Sequence, residues 1–216
     1  KELRLFNEIA RPYYDKVAEK WGQKILYISP WPGAGLWTKK PVHSVADMKG
    51  LKTRTYDKNG ALVVEATGGT PYALAFSEVY SALATGMIDS VITSSPTAVD
   101  AKFWEVMKYY EPINITIATD MVNVNLKAFN KLDKKTQDAL IKAGNDLEKE
   151  LWDKIEALDN EKIADCTKNG MEKIVPSPEF TKELTNITEV IRTEWLKQAS
   201  PEGKALYEEY LKKVGR

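Results

Sequence analysis

The spacing of apolar positions changes along this chain between a helical repeat and short apolar runs. Residues 2–21 carry Leu5, Ile9, Tyr13, Val17 and Trp21 at steps of four, the spacing of one helix face, and Gly22 follows as a stop signal. Pro12 inside that run removes a backbone donor and predicts a kink or interruption. Residues 24–29 (Lys-Ile-Leu-Tyr-Ile-Ser) read as a short strand. Residues 30–35, dense in proline and glycine, read as a loop. Further strands are expected at 51–56, 70–75 and 88–93. Helices are expected at 59–67, from a cap at Ser77 to a stop at Gly86, and at 97–108. Two more strands, 113–118 and 121–125, come next.

A longer helical pattern follows. Asp133 is a plausible N-cap, and Leu140, Ala143, Leu147, Leu151, Ile155, Leu158, Ile163 and Cys166 continue the helical spacing to Asn169-Gly170. That is about 36 residues, or roughly 54 Å at ~1.5 Å per residue. Such a length suits a helix bridging two lobes, a coiled coil or a bent helix. The lack of a strict heptad favours the lobe-spanning helix. Gly144 within it costs about 1 kcal/mol and marks a candidate bend. Ser177-Pro178-Glu179 and Ser200-Pro201-Glu202 open two further helices, to about Gln198 and Val214. The alternation of strand and helix argues for an α/β sheet rather than a bundle or sandwich.

Composition removes several function classes. At 216 residues the chain can bury a core and form one or two domains. Lys plus Arg and Asp plus Glu are 31 each, so nothing argues for a nucleic-acid partner. No apolar run approaches the ~20 residues of a transmembrane segment. The chain opens at Lys1 without a signal peptide, which reads as processing or truncation. Cys166 and His43 are each the only residue of their kind. An intrachain disulfide, a cysteine zinc site, a histidine triad and a two-histidine metal site are therefore not expected, and neither is a metal or cofactor. Cys166 reads as a packed small residue and His43 as a surface residue. No P-loop, dinucleotide glycine fingerprint or nucleophile elbow supports an enzyme.

The polar chemistry concentrates in residues 30–115. Arg54 sits between Thr53 and Thr55, with Tyr56 following. A guanidinium can hold a carboxylate by two parallel hydrogen bonds. Read alone, Arg54 also fits a surface arginine on an edge strand. Trp31 and Trp37 lie in the Gly/Pro-rich stretch and are candidates to line a ligand, whereas Phe76 and Tyr80 read as core. Thr93, Ser94 and Ser95 precede Pro96. They offer hydroxyl groups either to a ligand or to the cap of the next helix.

Several segments, in order, carry a resemblance. They are Arg11-Pro12-Tyr13-Tyr14; Lys40-Pro41-Val42 with Ala46-Asp47-Met48-Lys49-Gly50-Leu51-Lys52; Phe76-Ser77-Glu78-Val79-Tyr80 through Gly86 and Asp89; Phe103-Trp104-Glu105-Val106-Met107-Lys108-Tyr109; and Asn130-Lys131-Leu132 through Gln137. Together they resemble the solute-binding proteins of tripartite ATP-independent periplasmic (TRAP) transporters. The resemblance implies a two-lobed periplasmic-binding-protein-like α/β fold with a long lobe-spanning helix and the N-terminal portion of the first lobe absent. Residues 1–32 and 119–150 would be the remainder of the first lobe, and 33–118 with 151–216 the second.

It further implies a periplasmic, non-enzymatic protein that captures an organic acid between two lobes and delivers it to membrane permease subunits. Arg54 would clamp the carboxylate, with Trp37, Trp31, Tyr56, Thr93, Ser94 and Ser95 as ligand-binding residues. Glu78, at a helix start, would stabilise that helix or orient Arg54, and Phe76 would pack beside the site. Trp37 stands where many members carry a second arginine, and no asparagine precedes Pro96 as it does in the family. The missing second arginine disfavours dicarboxylates and sialic acid and favours a monocarboxylate with an apolar or aromatic body. The alternatives are a dicarboxylate binder of the same family, an incomplete fragment without ligand binding and, remotely, an enzyme of small carboxylates using Glu78 and Asp89.

Overall fold

The helical repeat near the start of the chain forms α1 (Glu2–Lys20), closed by Gly22 at φ 70°; the computed structural model describes all residues from Lys1 to Arg216. The helix runs on through Pro12, whose exposed position lets solvent take the carbonyl that the missing N–H leaves unmatched. Then come β1 (Gln23–Pro30), β2 (Ala34–Thr38), α2 (Val45–Met48), β3 (Lys52–Thr55), α3 (Lys58–Ala66), β4 (Thr70–Ala73), α4 (Phe76–Ala84), β5 (Ser90–Thr93) and α5 (Ser95–Asp100). A 3-10 turn (Phe103–Glu105) leads into β6 (Tyr109–Thr116), β7 (Thr119–Asn125), α6 (Leu126–Asn130), α7 (Lys134–Lys168), β8 (Glu172–Lys173), α8 (Pro178–Gln198) and α9 (Pro201–Val214).

The chain divides into two compact units. The first holds Lys1–Trp31, Ala118–Glu156 and Gln198–Arg216. Its sheet is the antiparallel pair β1–β7. The outer edge of β1 is closed by one face of α7. Glu148 accepts the Ile28 N–H at 2.7 Å, Trp152 donates its indole N–H to the Ile28 carbonyl at 3.1 Å, and Gly144 lies against the Leu26 carbonyl. Steps of four put these three residues on one helix stripe. Gly144 therefore permits a close approach of α7 to β1. Residues 198–216, expected with the second lobe, group with this first unit. Tyr210 of α9 packs edge-on against Phe6 at 5.6 Å and its hydroxyl donates to Glu2.

The second unit holds Pro32–Ile117 and Ala157–Lys197. Its six strands run in the order β4-β3-β5-β2-β6-β8. Strand β3 is parallel to β4 and β5, and β2 is antiparallel to β5 and β6. Alternation along β2 and β5 sends Trp37 and Val91 to one core, with Leu83, Phe103, Ile163 and Cys166, and Leu36 and Ile92 to the other, with Val42, Val64 and Phe180. Cys166 is buried and His43 exposed, as expected from the sequence.

Two expectations fail here. Residues 34–38 form a fully buried strand, not a loop. Gly35 is a packing requirement, since a Cβ there would lie 2.3 Å from the Tyr110 ring. The helix expected at 97–108 stops at Asp100, because Lys102 turns to φ 49° and the chain enters the 3-10 turn and then β6. Strand β6 tolerates Pro112 because its pairing with β2 is interrupted between Glu111 and Thr116, where Asn114 takes φ 45°.

Candidate carboxylate site

Parallel strands β4, β3 and β5 end side by side, and ligands of α/β sheets gather at such carboxyl ends. Leu74 follows β4, Arg54 to Tyr56 lie at the end of β3, and Thr93 to Ser95 at the end of β5. In register, Tyr72, Arg54, Val91 and Trp37 form one lateral row across four strands, so their side chains leave the same face. Thr93, two residues beyond Val91, shares that face.

Arg54 is only 6% exposed. It is therefore not the surface arginine that the sequence alone allows. Its Nε donates to the Leu74 carbonyl at 3.2 Å, and its guanidinium carbon lies 5.9 Å from the centroid of the Tyr56 ring. None of the protein's ion pairs includes it. Burial holds its pKa below the usual arginine value, the direction expected of a cation taken from water without an anion beside it. Tyr56 is half-exposed, its hydroxyl is hydrogen-bonded to Thr116 of β6, and burial raises its pKa.

Thr93, Ser94 and Ser95 are all buried. The Thr93 carbonyl accepts the Trp37 indole N–H at 2.9 Å, Ser94 bonds the Thr97 hydroxyl at 3.0 Å, and Ser95 donates to the Asp159 carboxylate of α7. Trp37 has no exposed surface, stacks on Tyr110 at 4.1 Å and meets Phe103 edge-on. It lies beneath the turn, within the core, and offers no surface to a solute in this arrangement.

The remaining expected residues stand apart. Glu78 accepts the Ala75 N–H at 3.1 Å and caps α4, so it serves its own helix and not Arg54. Ser77, expected as the cap, lies inside the first turn of that helix. Phe76 and Tyr80, expected in the core, are 47% and 41% exposed, and Tyr80 donates to Glu105. Trp31, 41% exposed at the end of β1, belongs to the first unit. Sequence reasoning missed Leu74, whose contribution is a backbone carbonyl that no side chain announces. It also missed Asp159, one acid among many on a charged helix.

Glu111 was missed as well. Fully buried on β6, it accepts the Val42 N–H at 3.1 Å and faces the Thr38 hydroxyl at 3.4 Å, with no cation paired to it. Burial raises its pKa to about 7.

Comparison with known proteins places this geometry in context. A family model described as DctP, bacterial extracellular solute-binding protein, family 7, matches residues 5–198. Two solved structures are extracytoplasmic solute receptors of Bordetella pertussis binding pyroglutamic acid. DctP7 superposes with a TM-score of 0.91 at 32% identity, covering 97% of this chain and 69% of that one. DctP6 gives 0.90 at 33% identity, covering 96% and 69%. A solute-binding protein of Chromohalobacter salexigens is 29% identical over 167 residues, 74% of this chain and 48% of that protein. The chain spans about half the length of the curated relatives it matches.

Proposed function

The chain belongs to family 7 of the bacterial extracellular solute-binding proteins, the DctP family of TRAP solute receptors, and from that premise we propose that it binds a small organic acid by its carboxylate at Arg54. The observation that carries the reading is a guanidinium 6% exposed at the carboxyl end of parallel strands with no acidic partner. A buried cation is costly until an anion joins it. The Nε–Leu74 bond fixes the guanidinium plane, so a carboxylate would meet a donor edge already oriented. Thr93, on the same face, and Tyr56, over the guanidinium, are the neighbours placed to touch the body of the acid.

Within this class we assign a compact monocarboxylate. Two receptors at 32% and 33% identity bind pyroglutamic acid, which supports that choice. Trp37, buried where many members carry a second arginine, supplies no second positive charge for a dicarboxylate. The protein's task would be capture in the periplasm and delivery to a membrane permease, without chemical turnover. Family members are solute-binding receptors, and no helix here is long and apolar enough to cross a membrane.

Isothermal titration with L-pyroglutamate, L-lactate, L-malate and D-glucuronate, run beside Arg54→Ala, tests the reading. Saturable binding of a monocarboxylate that disappears in the variant is the expected result. Tighter binding of malate would move the ligand class to dicarboxylates. Binding that survives in Arg54→Ala would overturn the clamp.

A further inference from the structure

The turn that ends β5 is held from two sides. From below, the Trp37 indole N–H donates to the Thr93 carbonyl at 2.9 Å. From α7, the Asp159 carboxylate accepts the hydroxyl of Ser95, a residue with no exposed surface. Between these two anchors lies Ser94, with its own bond to Thr97. The turn follows the strand that pairs with Arg54 through Val91, so any shift of Thr93 moves a side chain on the guanidinium's own face.

Both anchors sit in rigid surroundings. Trp37 is clamped by stacking on Tyr110 and by the edge of Phe103. Asp159 is carried by a 35-residue helix whose Ile163 and Cys166 pack into the same core as Trp37. The indole fills a fully buried space and also supplies a polar N–H that packing alone does not use. The N–H is what a phenylalanine would lack. Likewise, the Asp159 carboxylate is the near acceptor for a buried hydroxyl whose other acceptor, the Asp159 backbone carbonyl, stands off at 3.5 Å.

We infer that Trp37 and Asp159 are positioning residues for the carboxylate site, fixing the Thr93–Ser95 turn beside Arg54 so that ligand selectivity depends on two side chains the ligand does not touch. The inference rests on the reading of Arg54 given above. It changes the role of Trp37 from a wall of the site to its mounting. It also removes the Ser95 hydroxyl from the groups available to a ligand, because that hydroxyl is committed to Asp159.

The test compares Trp37→Phe, Asp159→Ala and Asp159→Asn with the wild-type chain. It uses pyroglutamate titration and hydrogen exchange of the backbone amides of Ser94, Ser95, Thr97 and Ala98, the non-proline residues of 94–98. Ile25→Ala, in the core of the first unit and away from α7's Asp159, serves as a destabilised control. Asp159→Ala and Trp37→Phe are expected to weaken binding about tenfold or more and to speed amide exchange in 94–98. Asp159→Asn, which keeps an acceptor oxygen, should restore both, and the control should alter neither. Wild-type affinity in Asp159→Ala and Trp37→Phe, or unchanged exchange at 94–98, would overturn the inference. If the wild-type chain binds no acid, the reading of Arg54 fails, and the exchange comparison alone decides whether these residues hold the turn.

Discussion

Arg54 and Leu74 are joined by a single hydrogen bond, Nε to backbone carbonyl at 3.2 Å, and that bond turns a buried cation into an oriented one. A carbonyl supplies direction without neutralising charge, so the guanidinium keeps its full attraction for an anion. Replacing Arg54 with alanine should cost about 2–5 kcal/mol of carboxylate binding, because the ligand's charge is then desolvated without a partner. Arg54→Lys should recover only part of this loss, since an ammonium has no planar fork for two parallel bonds. Titration calorimetry with pyroglutamate measures both. A lysine variant at wild-type affinity would show that planar recognition is not used.

The same residue makes a prediction about the ligand-free chain. Its guanidinium is desolvated without an ion pair, and replacing buried charge with an apolar side chain of similar volume is often neutral or stabilising. Arg54→Met should therefore hold or raise the melting temperature while abolishing binding. A fall of more than a few degrees would mean that the arginine contributes net stability in its empty state.

Glu111 should impose a pH dependence on the second unit. Its folded-state pKa stands near 7 against an ordinary 4.5, raised by burial in the sheet. The folded chain thus holds the proton more tightly than the unfolded one. The stability this provides is full below about pH 4.5 and is lost as pH rises through 7. An interval of about 2.5 pH units at ~1.36 kcal/mol each gives roughly 3 kcal/mol as the largest effect. Glu111→Gln keeps an acceptor for the Val42 N–H and removes the titration. Urea unfolding at pH 5, 6 and 8 should show a slope in the wild type that flattens in the variant. Parallel slopes would place the pH dependence elsewhere.

Elements with one dominant local signal were legible in the sequence. The long helix, the two Ser-Pro-Glu helix starts, the buried cysteine and the strand bearing Arg54 all follow from spacing and capping chemistry. The site was legible only in part, because its polar groups are arranged by tertiary partners. Whether Arg54 faces water or the sheet interior depends on the strands beside it. Trp37 was expected in a loop because Gly33 and Gly35 resemble turn formers. Gly33 instead makes room for Asn114 and Gly35 for Tyr110, residues some eighty positions away. Asp159 carries no local mark that separates it from the other acids of α7.

Gly144 gives the sharpest test of such a distant constraint, because two effects of known sign oppose each other there. Within a helix, glycine to alanine should stabilise by up to about 1 kcal/mol. Yet a Cβ at this position would stand 2.5 Å from the Leu26 carbonyl oxygen and 3.1 Å from its carbon, both backbone atoms of the strand that α7 covers. Relief requires α7 to move away from β1, which strains the bonds of Glu148 and Trp152 to Ile28 further along the same face. Overpacking of this kind costs about 1–3 kcal/mol and outweighs the helix gain. Gly144→Ala should therefore lower stability in urea unfolding and expose Trp152, seen as a red shift of its fluorescence. An increase in stability would mean that α7 does not bear on Leu26, and that Gly144 is an ordinary helix glycine after all.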